Sequence, residues 1–305
     1  MWAFILKRLL VALGVALTIS VLSFSLLQIS GDLAIAIGGP EATAEQVEQI
    51  RQEFGLDRPL IQQFGAWLWN AAQFDFGRSY YYQSSVMELV AERLPVTLTL
   101  GFLSLAIAIC VSIPLGVAAA LKRGSWIDRV AMAIAVTGQA MPNFWFGLTL
   151  IIVFAVNLQW FPAAGSESWK GYVLPAIALG YYATPAMMRL TRSGMLEVLQ
   201  SDYIRTARAK GLSTTSVVFK HALRNAVIPV VALAAVELGF MLGGSVVIET
   251  VFSLRGLGHL AWSAISRNDY PVVQAVVLII ALFYIVLTLL ADILNAALDP
   301  RLRTR

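Results

Sequence analysis

Six apolar runs punctuate this chain, near residues 9–29, 98–121, 130–157, 174–195, 228–248 and 272–294. Crossing a hydrocarbon core of about 30 Å takes roughly 20 helical residues. Inside that core every backbone amide must find its partner within the chain, which excludes open sheets and lipid-exposed loops. The expected fold is therefore an all-α polytopic membrane protein with six transmembrane helices. Composition agrees, because 58% hydrophobic residues, 13% charged residues and a mean hydropathy of +0.74 fall outside the range of a soluble domain. The third run is interrupted at Met141 and Pro142 and reads as one kinked or tilted helix rather than two short ones.

The basic residues set the expected orientation. With the N-terminus inside, Lys7, Arg8, Lys122, Arg123, Arg129, Arg189, Arg192, Arg205, Arg208, Lys210, Lys220, Arg224, Arg301, Arg303 and Arg305 fall on the cytoplasmic side. They outnumber those on the opposite side by roughly two to one, so both termini are expected to be cytoplasmic. The same juxtamembrane placement accounts for the pI near 9.3 without nucleic acid. Cys110 is the single cysteine, which rules out an intrachain disulfide and a cysteine metal site. His221 and His259 fall on opposite sides of this topology, and the spans offer no plausible Ser and His pair, so an intramembrane enzyme is disfavoured. The N-terminal apolar run is too long for a cleaved signal peptide and is expected to stay as a helix.

Between the first two spans, residues 31–95 read as structured. Thr43 and Gln46 have capping-box spacing, and Val47, Ile50 and Phe54 repeat on one helical face ending at Gly55. Leu60, Phe64, Trp67, Leu68 and Ala71 mark a second amphipathic helix after Pro59. Acidic residues outnumber basic ones here, which suits either a surface for a soluble partner or a cover over the helix ends.

A basic island, residues 189–225, lies between the fourth and fifth runs. Ser201 is placed to cap a short helix, Asp202 suits its positive end, and Gly211 follows Lys210 where a chain leaving a helix often needs positive φ. Tyr203, Ile204 and Ala207 form an apolar face beside Arg205 and Arg208. A second helix is expected over 213–225, with Phe219, Ala222, Leu223 and Ala226 on its apolar face. Two amphipathic helices joined at a glycine suit docking into a partner's groove.

Ala207, Gly211 and Pro229 in this setting resemble the cytoplasmic EAA-type loop of binding-protein-dependent ABC importer permeases, in the dipeptide, oligopeptide and glutathione branch. Arg205 and Thr206 stand where Glu and Ala are common, and the stretch from Gly211 to Pro229 is long, as in that branch. FGLDRPL, DFGRS, ETVFSLRGLG, NDYPVVQA and LDPRLR extend the resemblance along nearly the whole chain. It implies an N-terminal transmembrane helix (1–30), an extracytoplasmic helical segment (31–95), a type I ABC importer permease core (96–299) with its coupling loop at about 196–228, and a cytoplasmic tail (300–305). Tyr203, Ile204, Arg205, Thr206, Ala207, Arg208, Lys210 and Gly211 would couple to the ATPase. Glu249, Arg255, Gly256 and Gly258 would face the binding protein. The implied partners are a second homologous permease, two ABC ATPase subunits and an extracytoplasmic substrate-binding protein, in a bacterial inner membrane and without a cofactor.

Because no GxxxxGK[ST] phosphate loop occurs, the chain is not expected to be an enzyme, and ATP hydrolysis falls to another polypeptide. Glu237 lies about 13 Å into the fifth span, where a carboxylate must face protein or water. It either lines the translocation path or is hydrogen-bonded in packing. As an ion relay it would instead suit a self-sufficient secondary transporter or channel. Gly243, Gly244 and Ser245 give that span a small-residue face for close helix approach.

Overall fold

The computed structural model describes residues 2–30, 33–39, 41–53 and 55–298. Phe54 and the tail 300–305, with Arg301, Arg303, Arg305 and most of LDPRLR, lie outside the described residues. The described chain is helical, with one isolated bridge between Arg78 and Ser85. Helices α1 (Trp2–Ser30), α5 (Val86–Leu121), α11 (Ile228–Val251) and α13 (Tyr270–Leu298) are long and apolar enough to cross a membrane.

The third run departs from expectation. It forms α6 (Trp126–Ala140) and α7 (Asn143–Leu150), the latter continuing in wider π winding over Ile151–Asn157, and the pair bends by 105°. Pro142 explains the break: it disfavours helical backbone at the residue before it, and Met141 is extended at φ −88°, ψ 128°. Counted as one span, the pair makes five. Helix α8 (Val173–Leu199) is also long, but it carries Arg189 and Arg192 and is not among the helices apolar enough to cross.

Helices α5 and α8 form the centre of the bundle, and small residues let them touch. A Cβ at Gly180 would stand 2.5 Å from the Ser104 carbonyl, and one at Gly116 would stand 2.8 Å from that of Met188. Buried hydroxyls of Ser104, Thr184 and Thr191 donate to carbonyls one turn back in their own helices, so none needs water. At one end, Arg8 of α1 meets Asp292 of α13 at 3.0 Å, which places the start of the first helix and the end of the last on the same side.

The segment after α1 folds as read. Helix α2 (Leu33–Gly38) precedes α3 (Ala44–Glu53), and the reciprocal capping box forms: the Thr43 amide donates to Gln46 Oε1 at 2.9 Å and the Gln46 amide to Thr43 Oγ1 at 3.3 Å. Gly55 follows at φ +65°. Helix α4 (Leu60–Ala72) lays Phe64 and Trp67 against Phe24 of α1, with ring centroids 5.4 and 6.1 Å away.

Its exit loop is held by Asp269, which is fully buried just before α13. The Asp269 carboxylate accepts the Ser79 hydroxyl and the amides of Tyr80 and Tyr81 at 3.2 and 3.3 Å. Burial, and secondarily the charge of Asp269, push the Tyr80 phenol from 10.0 up to about 12. The DFGRS and NDYP motifs thus meet in one hydrogen-bonded knot.

Candidate functional site

With the ends labelled inner and outer by the orientation expected from the basic residues, three places in the bundle gather polar chemistry: a hook at the inner end, a turn at the outer end, and a carboxylate between them. The hook is α9 (Asp202–Ala209). Ser201 stands at its N-cap, but its hydroxyl donates back to the Val198 carbonyl at 2.6 Å, so the expected side-chain cap is not made. Asp202 instead pairs with Arg205 on the same exposed surface. Gly211 has φ +77°, as expected of a helix exit, and its amide donates to the Arg208 carbonyl at 2.9 Å.

The apolar face of α9 is already occupied. Ile204 and Ala207 are buried among Val117 and Ala120 of α5, Met195 of α8, and Val217, Val218, Ala222 and Ala226. What remains outside includes Asp202, Tyr203, Arg205, Thr206, Arg208, Lys210 and Gly211, a mainly basic surface with one acid and one aromatic. The Tyr203 hydroxyl accepts a 2.7 Å bond from Asn225 Nδ2, tying the two arms of the hook together.

The second arm corrects the expected phase. Residues Ser216–Ala222 wind as a π-helix and only Leu223–Ala226, here α10, is α-helical. In π winding the hydrogen bond spans i to i+5, so a face counted at α spacing drifts. Val217 and Val218 go inward, while Phe219 is 59% exposed. The side chains that could enter a partner's groove are thus the polar ones and Phe219, with Leu212 beside them.

A clasp that sequence reasoning missed braces the hook from above. Asp128 of α6 accepts Arg192 Nε and Nη2 of α8 at 2.7 and 2.8 Å, and the Gly124 amide at 2.9 Å. Only its acidic character inside a basic inner loop could have marked Asp128.

The outer turn joins α11 to α12 (Leu257–Ser266). Glu249 is fully buried there and therefore cannot itself touch a soluble partner. Its carboxylate accepts Thr97 Oγ1 at 2.7 Å, Ser245 Oγ at 2.9 Å and the His259 amide at 2.9 Å. The last of these lies in the first turn of α12, so Glu249 caps that helix from a distance. Gly256 leaves the space: a Cβ there would sit 2.5 Å from the carboxylate. At Gly258 a Cβ would sit 2.6 Å from Val246 Cα. Arg255 alone of the four expected residues is exposed.

Glu237 is half-buried on α11, with no hydrogen-bond or ion-pair partner among the described residues. Ser245 is fully buried, and a Cβ at Gly244 would meet no described atom within 4 Å.

Residues 112–304 match the family described as binding-protein-dependent transport system inner membrane component, and residues 1–101 match its N-terminal family. The chain is 44% identical over 301 residues to the glutathione transport system permease protein GsiC of Escherichia coli (strain K12), with 98% of each chain covered. It is also 44% identical over 312 residues to a protein of Brucella abortus (strain 2308) named for a peptide transport system permease, with 99% of each covered. Its fold is similar to a chain of the inward-facing MetNI methionine ABC transporter (native crystal form), with a TM-score of 0.59, 21% identity, and coverage of 70% of this chain and 97% of that one.

Proposed function

This chain belongs to the family of inner membrane components of binding-protein-dependent transport systems and is the permease subunit of an ABC importer; we propose that its cargo is a short peptide or glutathione, and that α9 is the element through which a separate ATPase drives it. The cargo assignment follows the names of its relatives. One observation supports the coupling role most directly: the exposed face of α9 is polar and basic, its apolar face is filled from within, and its exit is a glycine in left-handed backbone. Such a hook is a rigid lever, since a push on its surface is transmitted to the ends of α5 and α8 through Val117, Ala120 and Met195.

In this reading the hook and both termini face the cytoplasm, a second homologous permease completes the pore, and two ATPases bind at the hooks. An extracytoplasmic binding protein delivers cargo to the outer surface, where Arg255 makes contact, and Glu249, Gly256 and Gly258 shape the turn that presents it. Closure of the ATPases on ATP moves the hooks and shifts the pore between outward-facing and inward-facing states.

Purification of the tagged chain from native membranes tests this. A second permease and P-loop ATPases are expected to co-purify, and the assembly is expected to hydrolyse ATP and accumulate glutathione or a short peptide in vesicles. Recovery of the chain alone, under conditions that preserve a known ABC complex, overturns it.

A further inference from the structure

We propose that the open groove between α6, α8 and α11 is a binding site for the two charged ends of a short peptide, with Glu237 receiving the ammonium and Arg189 the carboxylate. The inference rests on the reading of the chain as a peptide permease and adds the residues that recognise the cargo inside the membrane.

Two openings occur between these helices, with volumes of about 400 and 480 Å³. The upper is lined by Gln139 and Asn143 at the α6–α7 break, Tyr182 of α8, and Phe240 and Gly244 of α11. The lower is lined by Met132 of α6, Arg189 and Ser193 of α8, and Leu233 of α11. The same three helices wall both. On α11, Leu233, Glu237, Phe240 and Gly244 follow one another at helical spacing, so Glu237 lies on the stripe that joins the two openings.

The charges on this stripe are the informative part. Glu237 has no partner among the described residues, and a carboxylate at this depth is not tolerated against lipid. Arg192 is satisfied by Asp128, whereas Arg189 donates to the neutral amide of Gln139, at 2.9 Å. A lone acid placed between the two openings and an uncompensated base on the wall of the lower one complement a zwitterion.

Spacing fixes the scale. A Cβ on Gly194 would meet the Ala226 carbonyl at 2.9 Å, which puts those two positions level. Counting outward from there at 1.5 Å per residue, Glu237 stands about 9 Å beyond Arg189. An extended chain covers at most about 3.3–3.6 Å per residue, so two or three residues span the interval. Tyr182 and Phe240, stacked with centroids 6.2 Å apart, and the amides of Gln139 and Asn143 are placed to receive what lies above Glu237.

The test is uptake of trialanine, N-acetyl-trialanine and trialanine amide by the complete importer in proteoliposomes. The binding protein is the same throughout, so a change in the ratio between probes reports the permease. Glu237→Gln is expected to cut trialanine uptake about 10-fold, the scale of one charge-assisted bond, and to erase the permease's preference for the free amine over the acetylated probe. Arg189→Gln is expected to do the same for the free carboxylate over the amide. Glu237→Asp and Arg189→Lys are expected to retain both preferences, which a purely structural role would not predict. Unchanged probe ratios in both neutral variants overturn the inference. A wild-type assembly that hydrolyses ATP but accumulates none of the probes, nor glutathione, overturns the peptide reading beneath it instead.

Discussion

Thr97 Oγ1 of α5 donates to Glu249 Oε1 of α11 at 2.7 Å and accepts the Leu257 amide of α12 at 2.8 Å, so one hydroxyl joins three helices at the outer end of the bundle. Glu249 is buried with no basic partner among the described residues, and its carboxyl group is held by hydroxyls and a helix N-terminus. The outer turn is therefore a structural joint whose exposed product is Arg255.

Thr97→Val is expected to destabilise the protein by about 1–3 kcal/mol, because it strands the Leu257 amide and removes one donor from a buried carboxylate. Thr97→Ser is expected to be close to neutral. Thermal unfolding midpoints in detergent distinguish the two, and equal midpoints for both variants contradict the joint.

Glycines in α11 and the outer turn are expected to differ sharply. Gly258→Ala forces a methyl to 2.6 Å from Val246 Cα, a backbone atom that cannot move aside, and should lower the unfolding midpoint by an amount equivalent to about 1–3 kcal/mol. Gly243→Ala meets only Ile280 Cγ2 at 3.9 Å and gains helix propensity, so it should be neutral or slightly stabilising.

At the hook, Arg208→Glu is expected to reduce ATPase co-purification and uptake at least about 10-fold while leaving the unfolding midpoint in place, because a reversed charge on an exposed interface acts on association. Ala207→Asp is expected to lower the midpoint as well, since it puts a charge into the cluster around Val217 and Met195. A midpoint loss for Arg208→Glu equal to that for Ala207→Asp contradicts the division of the two faces.

Removing either side of the α6–α8 clasp, by Asp128→Asn or Arg192→Gln, should lower the unfolding midpoint, by less than loss of a fully buried pair would because Arg192 is partly exposed. The double variant is expected to cost little more than either single one. Additive losses in a double-mutant cycle would show that the two residues act independently.

In the outer segment, burial and the Asp269 charge both oppose ionisation of Tyr80, so its phenol should titrate toward pH 12 and the unfolded chain should lose this proton first, near 10. Stability supplied by this group is therefore lost as pH rises through that interval. Asp269→Asn should bring the titration of Tyr80 down, as read by ultraviolet difference spectra against Tyr80→Phe. It should also free the loop around Arg78 for trypsin, because the Tyr80 and Tyr81 amides lose a charged acceptor.

Much of this was legible along the chain because the physics involved is local. Apolar length dictates helices in lipid, Thr43 and Gln46 cap within one turn, and Gly211 marks a left-handed exit, so most of the long helices, the capped helix after the first span and the first arm of the hook could be placed from residue order. Less legible were features that depend on phase or partner. Over the π winding of Ser216–Ala222, Phe219 is exposed while Val217 and Val218 pack with residues of α5 and α8. Asp128 finds Arg192 across 64 positions of sequence, Ser79 finds Asp269 across 190, and Thr97 finds Glu249 across 152, and no periodicity encodes such meetings. By itself the sequence determined that this chain is a helical membrane protein, because hydrophobic length and local capping act within a few residues, and its motifs carried the resemblance to a permease. Tertiary structure alone decided which ionisable groups are buried joints, such as Glu249, and which have no oppositely charged partner among the described residues, such as Glu237 and Arg189, because a side chain's role is defined by what the other helices bring to it.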